Sequence, residues 1–139
     1  MFQATQKIYD ALSASEGFKV YTEERPEGSE AWLQFPVKNG GAYRIRFISR
    51  DDDNDVAVRV YSLLSLDEEQ SARILPVINK LNNDYRYVKF VLDKDNDVNI
   101  EYDYPMACSN PAESVREIVI RIVKIIDDTY PELMRAMWA

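Results

Sequence analysis

The chain has 139 residues, of which 46% are hydrophobic and 29% are charged, and this balance is typical of an ordinary globular domain. Its length predicts a single domain over residues 1–139. The formal net charge of −7 opposes general nucleic-acid binding, which depends on Lys and Arg side chains that neutralise phosphates. No apolar run approaches the ~20 residues that a membrane-spanning helix needs. We therefore expect a cytoplasmic domain that binds neither nucleic acid nor membrane.

Residue counts also argue against catalysis. The chain has no histidine, so the commonest general base and metal ligand is missing. Its single cysteine, Cys108, cannot form an intrachain disulfide, which fits a reducing compartment. Glu101 and Asp103 share one strand face, but no sequence feature marks a pocket around them. We predict a protein that is not an enzyme and that holds no cofactor or metal.

The first half of the chain predicts a helix followed by strands. Residues 3–16 place Ile8 and Leu12 on one helical face and lead to Gly17, a typical helix-ending residue. Alternating apolar residues mark four segments after it: 18–23, 31–38, 42–49 and 56–63. We assign the last three as a meander, with a tight hairpin turn at 39–41.

A second helix is predicted from Ser65 to about Asn82. Its start fits a capping box, in which Ser65 accepts a hydrogen bond from the Glu68 amide and Glu68 reaches back. Pro76 lacks an N–H and clashes with the preceding turn, which predicts a kink or two short helices meeting near Leu75. We expect four residues of this helix, or their neighbours, to face inward: Ala72, Leu75, Ile78 and Leu81.

Two strands around an acidic turn and a long final helix complete the chain. The segment 81–105, LNNDYRYVKFVLDKDNDVNIEYDYP, alternates apolar residues on both sides of the turn. Asn110 and Pro111 match the N-cap and first position of a helix, within which Pro131 predicts a bend or an end. The predicted fold class is α+β, one antiparallel sheet packed by helices mainly on one face, in the order α-β-β-β-α-β-β-α.

The acidic turns raise the question of calcium. Aspartates repeat at every second position in two turns: Asp51, Asp53 and Asp55, and Asp93, Asp95 and Asp97. A helix-loop-helix calcium loop also needs Gly at its sixth position and Glu at its twelfth, and neither turn has them. We therefore predict solvated hairpin turns. A calcium-responsive or small-molecule sensor remains the alternative function.

The face of the predicted sheet that points away from the core concentrates aromatic and arginine side chains. Such residues are over-represented at binding hot spots. The residues that we predict to bind a protein partner are Tyr21, Trp32, Arg44, Arg46, Arg59, Tyr61 and Tyr87. The alternative is a half-solvated sheet face whose charges pair across strands.

The final helix is apolar on more than one stripe. The residues of these stripes are Val115, Ile118, Val119, Ile120, Ile122, Val123, Ile125 and Ile126. A helix that is apolar nearly all round is buried on several sides. The sequence leaves open whether this helix is buried within the domain alone or also against a second subunit.

The segment 81–105 resembles the YbjN-domain family, whose members are described as bacterial sensory-transduction regulators. In that family a helix ends in an Asn-rich turn like residues 80–83, and two strands like 85–90 and 98–103 flank an acidic turn. The element order is similar to that of class I type III secretion chaperones, which are typically dimeric and bind secreted proteins. The resemblance implies a non-enzymatic, homodimeric protein-binding module, chaperone-like or regulatory, and it supplies no catalytic motif.

Overall fold

The computed structural model describes residues 1–38, 40–50 and 55–139, which form one six-stranded antiparallel sheet and three α-helices. The strands are β1 (Tyr21–Arg25), β2 (Gly28–Pro36), β3 (Ala42–Ser49), β4 (Val56–Ser65), β5 (Lys89–Leu92) and β6 (Asp97–Tyr104). The helices are α1 (Gln3–Ser13), α2 (Glu68–Asp84) and α3 (Pro111–Met137), with a 3-10 turn at Met106–Cys108. The α+β class and the single antiparallel sheet are confirmed.

The order of the strands in the sheet is β1-β2-β3-β4-β6-β5, and the order of elements along the chain is α-β-β-β-β-α-β-β-α. The predicted order had one strand fewer before α2, which was wrong. The additional strand is β1, which pairs with β2 through Tyr21 opposite Trp32. It overlaps the alternating segment 18–23, which the predicted order of elements left out, and every residue of β1 is exposed.

The helices pack on one face of the sheet and enclose the core with it. The strands contribute alternate apolar residues to this face: Ala31, Leu33, Ile45, Phe47, Val58, Val60, Phe90 and Ile100. The helices contribute Ile8, Leu12, Ile74, Ile78, Leu81, Ile118, Ile122 and Ile126. Because strand side chains alternate between faces, the intervening residues of β2, β3 and β4 point to the opposite side of the sheet.

The start of α2 differs from the predicted capping box. Asp67, not Ser65, is the N-cap: its carboxylate accepts a hydrogen bond from the Gln70 amide at 2.8 Å, and the Gln70 side chain accepts one from the Asp67 amide at 3.0 Å. Ser65 is the last residue of β4 and pairs with Asp97, so it is not available to begin the helix. The motif is therefore a capping box displaced by two residues.

The course of α2 corrects the prediction of two short helices that meet near Leu75. The helix is continuous through Pro76, which lies on its exposed side. Water can therefore satisfy the backbone group that loses its partner. The inward residues are Ser71, Ile74, Ile78 and Leu81, whereas Ala72 and Leu75 are exposed. Ile78 and Leu81 therefore face inward as predicted, whereas Ala72 and Leu75 give way to their neighbours Ser71 and Ile74.

The final helix begins as predicted. The Asn110 side chain accepts a hydrogen bond from the Ala112 amide at 3.1 Å, and Pro111 is the first helical residue. Helix α3 then continues through the exposed Pro131 to Met137, so Pro131 does not end it. Its apolar stripes are largely buried within the chain, but Ile120 remains 39% exposed.

The turn between β5 and β6 is held by one aspartate. The Asp93 carboxylate accepts hydrogen bonds from the amides of Asp95 and Asp97, at 2.9 and 3.0 Å, and from the Asn99 side chain at 2.9 Å. The bonds from Asp97 and Asn99 are the main causes that hold the Asp93 pKa below the usual aspartate value. The Asp93 carboxylate therefore stabilises the turn itself. In the second acidic turn, residues 51–54 lie outside the described part of the chain.

We expect Asp93→Asn to destabilise the protein at neutral pH, because the charged acceptor of three hydrogen bonds is lost. A folded-state pKa below the unfolded one contributes stability above the unfolded pKa, and this contribution is lost as the pH falls through the folded pKa. The difference between wild type and variant should therefore shrink in acid. Urea unfolding at neutral and acidic pH measures it, with Asp95→Asn as the control in the same turn. An equal effect of both variants would contradict this role of Asp93.

Candidate functional site

The sheet face opposite the helices carries a continuous row of side chains. The register places these residues side by side across all six strands: Tyr21, Trp32, Arg46, Arg59, Glu101 and Lys89. Arg44 and Tyr61 lie on the same face, at alternate positions from Arg46 and Arg59. Six of the seven residues predicted to bind a partner therefore share one face. Their role as a binding site remains a prediction.

Tyr87 is the exception, since it lies on the helix side of the sheet. Its ring stacks on that of Tyr102, with centroids 4.9 Å apart, and the Arg121 guanidinium of α3 lies 4.9 Å from its centroid. Burial is the main cause that raises the Tyr87 pKa to about 12. The prediction extended the strand alternation back to Tyr87, but β5 begins only at Lys89. Tyr87 thus belongs to the packing between sheet and α3.

Arg46 forms an ion pair with a buried carboxylate. Its guanidinium lies 2.6 Å from a Glu30 carboxylate oxygen, and Arg25 lies 3.3 Å from the same oxygen. Glu30 is only 1% exposed because the two arginines cover it, although it lies on the sheet face opposite the helices, which we call the open face. A buried carboxylate needs such partners to remain charged. Arg46 therefore holds β2 and β3 together.

Arg59 has a similar structural role between β4 and β6. It lies 2.8 Å from the Asp103 carboxylate and donates hydrogen bonds to the carbonyl oxygens of Val58 and Tyr102, each at 3.0 Å. Its guanidinium is thus directed along the sheet. Arg46 and Arg59 thus pair with carboxylates on neighbouring strands. This agrees with the alternative prediction, a half-solvated sheet face whose charges pair across strands.

The remaining residues form an accessible stack. Trp32 lies between Tyr21, whose ring is stacked at a centroid distance of 4.4 Å, and Arg44, whose guanidinium lies 4.0 Å from the indole centroid. Lys19 continues the stack at 5.6 Å from the Tyr21 ring. Arg44 is exposed and forms no ion pair with any described residue. We call Tyr21, Trp32, Arg44 and Tyr61 the aromatic–arginine surface; Tyr21 is 40% and Tyr61 49% exposed.

Beside this surface, β3 and β4 separate. Their described ladder runs from Arg46 opposite Arg59 to Ile48 opposite Ala57. Beyond it β4 changes register against β6. Ser62 there adopts a left-handed φ of 54°, and its amide donates to the Asn99 side chain at 2.7 Å. The result is a slot of about 370 Å³ between the two strands.

Both sides of the sheet contribute to this β3–β4 slot. Residues that line it from the open face are Gln34, Arg44, Arg46 and Tyr61, and those from the helix side are Tyr43, Leu63 and Tyr130. Sequence reasoning missed the slot. The available signal was Ser62-Leu63-Leu64, where two neighbouring apolar residues break the alternation of β4, which is typical of a bulge.

The candidates for catalysis occur in ordinary structural contacts. Glu101 lies 3.9 Å from Arg59 and 3.7 Å from Lys89, and Asp103 is paired with Arg59. Cys108 is exposed, and its thiol donates to the Pro105 carbonyl at 3.7 Å. Over residues 1–38, 40–50 and 55–139, no three acidic or cysteine side chains are grouped closely enough to hold a metal ion. Within the same residues, no helix has the length and hydropathy to cross a membrane.

The exposed aromatic and arginine side chains on the face of the sheet opposite the helices are residue types that are enriched at protein–protein interfaces. The comparison with known families agrees. The chain belongs to the family described as T3SS (YopN, CesT) and YbjN peptide-binding chaperone 1, whose model matches residues 24–137. The resemblance to YbjN domains is thereby confirmed and extends well beyond the segment that first indicated it. No curated protein and no solved structure gives a significant match.

Proposed function

We propose that this protein is a non-enzymatic peptide-binding chaperone that acts in the cytoplasm as a homodimer. It captures an extended segment of another protein on the aromatic–arginine surface and in the β3–β4 slot. The observation that carries the proposal is Arg44, an exposed cation that is stacked on Trp32 beside the slot. The family to which the chain belongs supports the peptide-binding part of this proposal.

The chemistry of the surface defines the segment. Tyr21 and Trp32 offer aromatic faces to an apolar or aromatic side chain, and Arg44 offers a cation to a carboxylate. The slot adds a second cation, Arg46, whose charge is largely offset by Glu30. We therefore expect the preferred segments to combine aromatic with acidic residues.

Binding to an array of immobilised 12-residue peptides tests this function, with aromatic and acidic content varied independently. The wild type should retain peptides that have both. Trp32→Ala and Arg44→Ala should each weaken binding about tenfold or more, as hot-spot residues do. Lys89→Ala is the control, because Lys89 lies at the other end of the same face. Unchanged binding by the Trp32 and Arg44 variants, or an equal loss by the control, would refute the site.

A further inference from the structure

The β3–β4 slot leads from the open face towards the core of the protein. Its walls on the helix side are buried residues, between 5 and 9% exposed: Val37, Tyr43 and Leu63. Tyr130 of α3 lines it from the same side. At one end the two strands are held together by the pairing of Arg46 with Arg59. A segment that enters the slot from the open face therefore meets packed side chains and does not pass through the sheet.

The size of the slot favours the end of a chain over its middle. Its volume of about 370 Å³ is near the lower limit for small-molecule sites, which is roughly 300 Å³. An internal segment would have to enter and leave on the same side, as two lengths of backbone about 4.8 Å apart. A chain end needs room for one length only. We therefore expect the slot to take the first or the last residues of a partner.

The charge of the slot distinguishes between these two ends. Among the described residues that line it, Arg44 and Arg46 are charged and none is Asp or Glu, although the whole chain has 24 acidic and 17 basic residues. Glu30 contacts Arg46 through Nη1, and a guanidinium has five N–H donors, so this contact does not use all of them. A cleft lined by one sign of charge attracts the opposite sign. A C-terminal carboxylate is therefore favoured, and an N-terminal ammonium group is repelled.

We propose that the slot binds the free C-terminal carboxylate of the captured segment. Arg44 and Arg46 donate hydrogen bonds to the carboxylate, and the last side chain is directed towards Leu63 and Tyr130. The residues before it lie across Trp32, which is stacked on Arg44 beside the slot. Recognition of a C-terminal carboxylate is a recurring mode of peptide binding. The inference rests on the peptide-binding function proposed above and adds which end of the partner is bound.

Fluorescence anisotropy of peptides that carry a dye at the N-terminus tests this site. One aromatic and acidic 12-residue sequence that ends in phenylalanine is compared as the free acid and as the C-terminal amide. The amide should bind about tenfold or more weakly, because the hydrogen bonds to a charged acceptor are lost. The control is the free acid with one internal glutamate replaced by glutamine, which has the same net charge as the amide and should keep most of the affinity.

Two variants separate the slot from the aromatic part of the surface. Arg44→Gln should lower the affinity of the free acid to nearly that of the amide, because the uncompensated cation of the slot is lost. Trp32→Ala should weaken both forms and preserve their ratio. Lys89→Gln is the control for the loss of one positive charge, since Lys89 lies at the other end of the same face.

The possible outcomes distinguish this inference from the proposed function. Free acid and amide that bind wild type equally, or a difference that persists in Arg44→Gln, overturn the C-terminal site and leave peptide binding standing. If neither form binds, peptide capture fails as well. N-acetylphenylalanine carries the same terminal group without the chain. If it binds as tightly as the peptide acid, the slot is a site for small carboxylic acids, and the inference of a chain end is overturned.

Discussion

Arg46→Ala is expected to lower the free energy of unfolding by about 3 kcal/mol, because it removes the closest partner of a buried carboxylate. Breaking a buried ion pair by deleting one member costs about 3–5 kcal/mol. The lower value applies because Arg25 still lies 3.3 Å from Glu30. Urea unfolding followed by circular dichroism measures the change.

Two further variants make this result interpretable. Arg44→Ala, two residues away, should cost less than about 1 kcal/mol, because only an exposed cation–π contact with Trp32 is lost. The double variant Glu30→Leu/Arg46→Met should recover much of the stability, since neither charge of the closest pair is then left unpaired. If Arg46→Ala proved no more destabilising than Arg44→Ala, Glu30 would not depend on Arg46.

This contrast decides how binding experiments on the open face are to be read. Loss of peptide binding in an Arg46 variant would combine a damaged sheet with a damaged site. Arg44 separates the two effects, because it is exposed and does not pair with a described carboxylate. Arg44 and Trp32 are therefore the informative positions of the face.

Ile74→Ala should destabilise the protein by about 3 kcal/mol, within the range for truncating a buried isoleucine. Ile74 is fully buried under α2, where no side chain can move in to fill the cavity without repacking. Its neighbour Leu75 is 52% exposed, and Leu75→Ala should change stability by less than about 0.5 kcal/mol. Thermal and urea unfolding of the two variants compare adjacent positions of one helix.

The comparison also tests which residues of the first half of α2 face inward, where the prediction named Ala72 and Leu75 or their neighbours. If Leu75→Ala were the more damaging change, the helix would present the face first predicted from its apolar residues. Equal effects would indicate that α2 is not packed on the sheet as the structure has it.

Much of the fold could be predicted because alternation and caps are local signals. The pattern of β3 follows from Tyr43, Ile45 and Phe47, and the start of α3 follows from Asn110 and Pro111. Features that depend on tertiary contacts could not be predicted from the sequence. Leu75 is more apolar than Ser71, yet Ser71 is the buried one, because the position of α2 on the sheet decides which side faces inward.

The composition of the candidate site was predicted, but the burial and the ion pairs of its residues were not. Alternation alone placed Trp32, Arg44 and Arg46 on one face. It does not reveal that Glu30, on the same face, is buried and occupies Arg46. Nor does it show where a strand begins, which is why Tyr87 was assigned to the wrong side. Pairing partners and strand ends depend on register, and register is a property of the folded sheet.

Trp32 allows ligand binding to the aromatic–arginine surface to be followed by fluorescence. The chain has two tryptophans, and Trp138, next to the end of α3, is 68% exposed and far less constrained. In a Trp138→Phe chain all tryptophan emission would come from Trp32, whose indole is held between a phenol ring and a guanidinium. Any ligand that displaces either neighbour changes the polarity and quenching around that indole. Occupancy of the site can therefore be followed by intrinsic fluorescence, without a label on chain or ligand.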